Sequence, residues 1–220
     1  MLKGKKFLVT AGPTRESIDM VRFISNRSSG MMGIYIAEDL AANGAEVFFV
    51  CGPVNRKKRT KNVHRVNVES ADEMFHYCLE IFPLCDGVIM AAAVADYTPT
   101  EFKPGKIKKN NGDSTYLLML KKTKDILFEL GKIRNEKQVI VGFSLEVENE
   151  IENATNKLLH KNMDFIVLNS LKDKGAGFDV KTNKITIINK NGEITQFPLK
   201  SKREVARDIV NYLTDYIAHF

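Results

Sequence analysis

The stretch "SSGMMGIYIAEDLAANGAEVFFV", residues 28–50, decides the fold. Its small residues, helix-spaced apolar positions and closing apolar run read as the first turn, first helix and second strand of a nucleotide-binding α/β unit. Small residues at the head of a helix let backbone amides approach a phosphate. Gly30 and Gly33 are equally what tight packing of a helix on a strand requires, so the pair alone leaves both readings open. Upstream, "KFLVTAG" (6–12) is the first strand. Between strand and helix lies "PTRESIDMVRFISNRSS" (13–29), far longer than the usual two to six residues of such a connection.

The pattern continues along the chain. Apolar runs predict strands at 6–11, 46–51, 63–68, 86–92, 115–121, 138–143 and 164–168. Amphipathic spacing predicts helices near 31–43, 71–82, 124–134 and 148–162. "QVIVGF" and "DFIVLN" are apolar throughout, as central parallel strands are. The style changes at "ITIINKNGEITQF" (185–197), where Asn191-Gly192 between apolar segments signals a hairpin. A last helix places Val205, Ile209, Tyr212, Leu213 and Tyr216 on one face. The expected fold is α/β: a doubly wound, mostly parallel Rossmann-like sheet with helices on both faces, then a C-terminal β-hairpin plus helix. With no repeat or linker, residues 1–220 are expected to form a single domain.

Composition narrows the function. The chain has 220 residues, 44% hydrophobic and 27% charged, so a packed core is expected. Its longest apolar runs, such as "VIMAAAVA" (88–95), are too short to span a bilayer. The N-terminus reads as a strand rather than a signal peptide, so a cytoplasmic protein with no membrane association is expected. The net charge is +6, but "NRKKRTK" (55–61) alone carries five positive residues. No aromatic residues interleave with that run, so it reads as a solvated loop and not a nucleic-acid surface. Three cysteines without CxxC spacing and four histidines without HExxH spacing give no disulfide framework and leave metal ligands unidentified.

Two classes of enzyme compete for the first motif. A short-chain NAD(P) oxidoreductase would carry Tyr with Lys four residues on, and no tyrosine here does. The second strand also ends "FFVCGP", without an acid to hold an adenosine ribose. The second motif, "AAAVADYTPTEFKPGKIKK" (91–109), begins as a buried strand. It delivers Asp96 just past the carboxyl edge, where open α/β sheets bind ligands. The alanines leave room for a base or sugar against the backbone. Lys106, Lys108 and Lys109 then precede an Asn-Gly turn, as either a cationic flap over phosphates or a solvated hairpin. Lys157 and Lys161, four apart, share one helix face. A nucleotide-sensing module without chemistry remains a third reading.

Taken together, these stretches resemble phosphopantothenoylcysteine synthetase, the phosphopantothenate–cysteine ligase of coenzyme A biosynthesis. "TAGPTRESIDMVRFISNRSSG", "AAAVADY", "KIKK", "KDIL", "VGF", the lysines at 157 and 161, and Asn169 after "DFIV" occur in family order and spacing. The resemblance covers the chain from Lys6 to the last helix. It implies a ligase that joins 4'-phosphopantothenate to L-cysteine through an acyl nucleotidylate. CTP is the expected nucleotide, with ATP as the alternative, and Mg²⁺ travels with it. It implies that Asn26 contacts the activated acyl group and that Lys106 meets the nucleotide phosphates as a flap lysine. Arg22, Ser28 and Gly30 would shape or bind the phosphopantothenate. Met90, Ala91, Ala92, Asp96, Lys124, Asp125, Ile126, Leu127, Phe143, Lys157 and Lys161 would surround the nucleotide. The long loop would build the pantothenate end of the site and help form a homodimer. A flavin-dependent decarboxylase often precedes this domain in one polypeptide; here the resemblance implies a stand-alone synthetase, with room for a separate decarboxylase partner. The chain departs from the family at Met31, where lysine is usual, and at Lys124, where proline is common.

Overall fold

The first strand, β1 (Lys6–Ala11), is buried from Phe7 to Ala11, as a strand covered by helices on both faces must be. In the computed structural model, which describes residues 2–56, 60–108, 115–170 and 180–219, β2 (Arg15–Ser17), β3 (Phe23–Ser25), α1 (Met31–Ala42), β4 (Glu46–Cys51) and β5 (Val63–Asn67) follow. Next come α2 (Ala71–Ile81), β6 (Gly87–Met90), β7 (Tyr97–Pro99), β8 (Leu120–Lys122), α3 (Ile126–Ile133), β9 (Val139–Glu146), α4 (Glu150–His160) and β10 (Phe165–Ser170). The C-terminal part holds β11 (Thr182–Asn183), β12 (Ile185–Asn189), β13 (Ile194–Gln196), β14 (Lys200–Ser201) and α5 (Lys202–Ala218).

An eight-stranded sheet runs β13-β12-β10-β9-β6-β1-β4-β5. Every pairing from β5 to β10 is parallel, and the hairpin β12–β13 joins antiparallel. The chain builds outward from β1 through β4 and β5, then returns to lay β6 on the other side of β1. That reversal opens a crevice at the carboxyl ends of β1 and β6. Helices α1 and α5 cover one face, with Ile36, Leu40, Ile209 and Leu213 among the buried residues. Helices α2, α3 and α4 cover the other, with Met74, Leu130 and Leu158 buried. Removing one such leucine side chain costs about 2–5 kcal/mol, so these layers fix the sheet edge on which the site stands.

Local signals explain the boundaries. Ser70 caps α2, Asp125 caps α3, and Ser201 with Glu204 forms a complete capping box on α5. Helix α1 begins instead at Gly30, in the left-handed region (φ 69°), with no side-chain cap. A Cβ on Gly33 would lie 2.6 Å from the Ala11 side chain and 2.7 Å from the Thr10 carbonyl oxygen, so the packing role of that glycine is real.

One expectation is corrected. The predicted strand at 115–121 does not enter the main sheet. Only Leu120–Lys122 is a strand, paired antiparallel with Tyr97–Pro99 in a separate ribbon. Its apolar residues are not core: Leu117 is 83% exposed and Met119 62%. An apolar run looks the same in sequence whether it faces a core or an open surface. The long loop carries secondary structure of its own. Residues Arg15–Ser17 and Phe23–Ser25 form a hairpin, and buried Glu16 accepts a hydrogen bond from the Ala71 amide at the head of α2 (2.8 Å).

Candidate active site

A cavity of about 790 Å³ opens at the crevice, within the usual range for small-molecule sites. Its floor is the segment that leaves β6, Ala91 to Asp96. Thr10, Thr14 and Gly12 hold that segment in place. The Ala92 amide donates to the Thr10 hydroxyl (3.2 Å), the Ala93 amide to the Gly12 carbonyl (2.9 Å) and the Ala95 amide to the buried Thr14 hydroxyl (2.9 Å). Thr123 closes the far side: its hydroxyl donates to the Ala95 carbonyl (2.7 Å) and its amide to the Asp96 carbonyl (3.0 Å). The alanine stretch is therefore a rigid shelf with its side chains too small to fill the space above it.

Most residues proposed from sequence converge here. Asn26, Ser28, Gly30, Met90, Ala91, Ala92, Asp96, Lys124, Asp125, Ile126, Leu127, Phe143 and Lys161 all line the cavity. Asn26 donates one amide hydrogen to the Val94 carbonyl (2.8 Å), which orients the second hydrogen of its NH₂ group. The Ser28 hydroxyl accepts from the Gly30 amide (3.2 Å) and keeps its own hydrogen to donate. Asp125 both caps α3 and pairs with Lys161 (2.8 Å).

Lys124 lines the cavity, and its ammonium donates to Asp72 on α2 (2.9 Å) and lies 4.6 Å from the Phe75 ring centre. That hydrogen bond holds the Asp72 carboxyl below its ordinary value despite opposing desolvation. Arg22, Lys106 and Lys157 are not in the wall. Lys157 reaches Ser144, which is, and also Glu146 (2.5 Å). Burial pushes the Glu146 carboxyl up, but the hydrogen bonds from Lys157 and Ser144 prevail and lower it.

Arg22 and Lys106 belong to one device. Buried Asp19 accepts from Arg22 through Nη2 (2.5 Å) and Nε (3.0 Å), and from the Ile107 amide (3.0 Å). Arg22 in turn donates to the Ile107 carbonyl (3.1 Å), and the Lys103 amide donates to the Ile18 carbonyl (3.1 Å). The long loop thus straps down residues 103–108, which carry exposed Lys106. The Arg22 guanidinium holds the Asp19 carboxyl well below the usual carboxylate range. Lys109 and the Asn111-Gly112 turn lie outside the described residues, as do Lys57, Lys58 and Arg59 of the basic run at 55–61.

Thr123, Ser144, Leu145, Asn183 and Lys202 also line the cavity and were not picked out from sequence. Thr123 had no motif to mark it. Asn183 and Lys202 come from the C-terminal part, which reads in sequence as a structural hairpin and helix.

The family model described as the DNA/pantothenate metabolism flavoprotein C-terminal domain matches residues 2–217. The coenzyme A biosynthesis bifunctional protein CoaBC of Bacillus subtilis (strain 168) is 43% identical over 209 residues, 95% of this chain and 51% of that protein. A protein of an unknown prokaryotic organism named cysteine/cysteine sulfinic acid decarboxylase is 51% identical over 209 residues, 95% of this chain and 58% of its own length. This chain therefore spans little more than half the length of these relatives. The crystal structure of the C-terminal domain of a coenzyme A biosynthesis bifunctional protein CoaBC superposes with a TM-score of 0.83 at 39% identity, covering 99% of this chain and 98% of that one.

Proposed function

The chain belongs to the DNA/pantothenate metabolism flavoprotein C-terminal domain family, and on that premise we propose that it ligates 4'-phosphopantothenate to L-cysteine at the expense of CTP. The observation that carries this reading is the convergence of Asn26, the Ala91–Asp96 shelf, the head of α3, Phe143 and Lys161 on one cavity. That cavity belongs to a fold matched along its whole length by the CoaBC C-terminal domain.

The reaction has two halves. A phosphopantothenate carboxylate oxygen attacks the α-phosphorus of CTP, the bond to the β-phosphate oxygen breaks, and pyrophosphate leaves. The cysteine amine then attacks the acyl carbon, CMP leaves with the electrons of its bond to that carbon, and the amine proton passes to water or to the leaving phosphate. The protein's contribution is positioning and charge neutralisation. Asn26, with one amide hydrogen anchored on Val94 and the other directed by it, polarises the acyl carbonyl in the second half. Lys106 meets the phosphate charge that grows in the first half. The shelf, with Phe143, receives the nucleoside.

Mg²⁺ bound to the triphosphate neutralises part of its charge. The residues fit an ion that arrives on its substrate. Among the described residues no group of three or more His, Cys, Asp or Glu could hold a metal. Among the described residues the carboxylates of the cavity wall are Asp96 and Asp125, the second already engaged by α3 and Lys161.

Assembly as a homodimer completes the proposal. Met20 (75% exposed), Val21 and Phe23 on the long loop, and Tyr97 and Leu120 on the β7–β8 ribbon, are large apolar side chains left open to solvent, an apolar surface of the kind that partners cover.

The test is incubation with Mg²⁺, phosphopantothenate, cysteine and either CTP or ATP, with pyrophosphate and carbon dioxide both measured. Pyrophosphate formation that requires phosphopantothenate is expected, CTP being the better nucleotide. No pyrophosphate with either nucleotide overturns the ligase reading. Carbon dioxide from cysteine or its sulfinic acid would favour the activity in the name of the 51%-identical relative.

A further inference from the structure

Glu16 is 4% exposed, between half-buried Arg15 and exposed Ser17 on β2. A carboxylate is costly to bury unless something replaces its water. Among the described residues no lysine, arginine or histidine pairs with it; it accepts from the Ala71 amide instead (2.8 Å). Ala71 is the first residue of α2, so the carboxylate also meets the positive end of that helix. Helix α2 has its own cap in Ser70, whose hydroxyl accepts from the Glu73 amide (3.2 Å). What the Glu16 contact holds in place is therefore the hairpin rather than the helix.

The residue before it docks on the same spot. The Arg15 amide donates to the Glu69 carbonyl (2.7 Å), and the Arg15 guanidinium pairs with the Glu69 carboxylate (3.4 Å). From there the path to Asn26 is short. The hairpin sets Glu16 opposite Ile24 and Arg15 opposite Ser25, and Asn26 follows. The Ser25 hydroxyl donates to the Thr14 carbonyl (2.7 Å), and Asn26 donates to the Val94 carbonyl of the shelf (2.8 Å). Asn26 thus spans two bodies: a hairpin anchored on α2, and a shelf anchored on Thr10, Gly12 and Thr14. Glu16 itself is not in the cavity wall, so its effect on a reaction there passes through the hairpin.

We propose that Glu16 is a positioning residue for the second half-reaction: by docking the β2–β3 hairpin on the head of α2, it fixes the backbone from which Asn26 reaches the acyl carbonyl. The inference rests on the ligase reading for the reaction that Asn26 serves. An apolar side chain in this buried place would avoid the desolvation of a carboxylate, but it would slide. A hydrogen bond from a backbone amide has a direction, and that direction sets where the hairpin stands.

The experiment is a double-mutant cycle of Glu16→Ala and Asn26→Ala in the full chain. It is read by single-turnover pyrophosphate release and by formation of the final product. A displaced catalytic group costs about ten- to a hundredfold in rate. Glu16→Ala should lower product formation on that scale and leave pyrophosphate release nearly unchanged. In the Asn26→Ala background it should cost little more. Glu16→Gln, whose carboxamide oxygen still accepts from Ala71, should restore most of the rate. Equal loss in both half-reactions overturns the proposal, and so does a loss that adds in full to that of Asn26→Ala. If Glu16→Ala does not fold, Ala71→Pro takes its place, because proline is accepted at the first position of a helix and removes only the amide. It should show the same pattern, and parental product formation would overturn the proposal. Failure of the ligase reading is separable, because it appears as absent pyrophosphate in the unmutated chain. The ¹⁵N–¹H signals of the Asn26 side chain then test the device alone: they should move in Glu16→Ala and hold in Glu16→Gln, and signals unmoved in Glu16→Ala would refute it.

Discussion

Asn26 shows how one hydrogen bond sets a residue's use. Its amide is fixed by the Val94 carbonyl, so Asn26→Asp replaces an oriented donor by a carboxylate that repels the same carbonyl. The second half-reaction should fall by about a hundredfold or more while single-turnover pyrophosphate release survives. Equal loss of both products would show that Asn26 serves binding alone. The cysteines behave in the opposite way, as inert core. Burial pushes the Cys51 thiol up to about 11 and the Cys78 and Cys85 thiols up to about 12. Little thiolate exists at pH 8, and all three are buried. A maleimide at that pH should leave the native chain unlabelled and modify all three sites after unfolding. Rapid stoichiometric labelling of the native chain would contradict this assignment.

At the scale of elements, the long loop acts on the strap at 103–108 through Asp19. Asp19→Asn removes the charge that holds Arg22 and weakens the bond from the Ile107 amide. Trypsin should then cut sooner after Lys106 and Lys108, and kcat should fall with little change in the melting of the sheet. The pH dependence has a definite sign. Because the folded carboxyl is depressed, its contribution is fully present above about pH 4 and fades only as pH drops toward the folded value. Lys106→Gln leaves the strap in place and removes the charge it carries. Single-turnover pyrophosphate release should drop by several hundredfold, the scale of about 3 kcal/mol lost from an electrostatic contact in the transition state, whereas Lys108→Gln should be milder. Near-parental release by the Lys106 variant would return this segment to the status of a solvated hairpin.

At the scale of the molecule, the exposed apolar residues of the long loop and the β7–β8 ribbon predict an assembly. Light scattering at micromolar concentration should give twice the chain mass, and Met20→Glu with Val21→Glu should give the monomer. Charged side chains cannot be buried there without a cost of several kcal/mol. A fully active monomer in the unmutated chain would remove the homodimer. The sheet itself should be indifferent to those changes, because its two cores lie behind α1 and α5 on one face and α2 to α4 on the other.

The sequence by itself determined the parallel sheet, its helices and the C-terminal hairpin, because hydrophobic period and turn chemistry are local. "FLVTA", "VIVGF" and "FIVLN" can be satisfied only by burial on both faces, and Asn191-Gly192 closes a hairpin whatever surrounds it. It also marked the shelf, because that motif places small residues at a strand end, whereas Asn26 stood out only through the resemblance to the synthetase family. The tertiary structure decided the rest. Whether "YLLML" (116–120) faces a core or solvent depends on what packs against it, which the run does not encode. That Lys124 turns to Asp72, that Arg22 serves Asp19 and Ile107, and that Lys202 lines the cavity all depend on partners 52, 3, 85 and more positions away. Periodicity reports the face a residue occupies. Only the assembled sheet edge brings a helix head from the end of the chain into the crevice opened by its first strand.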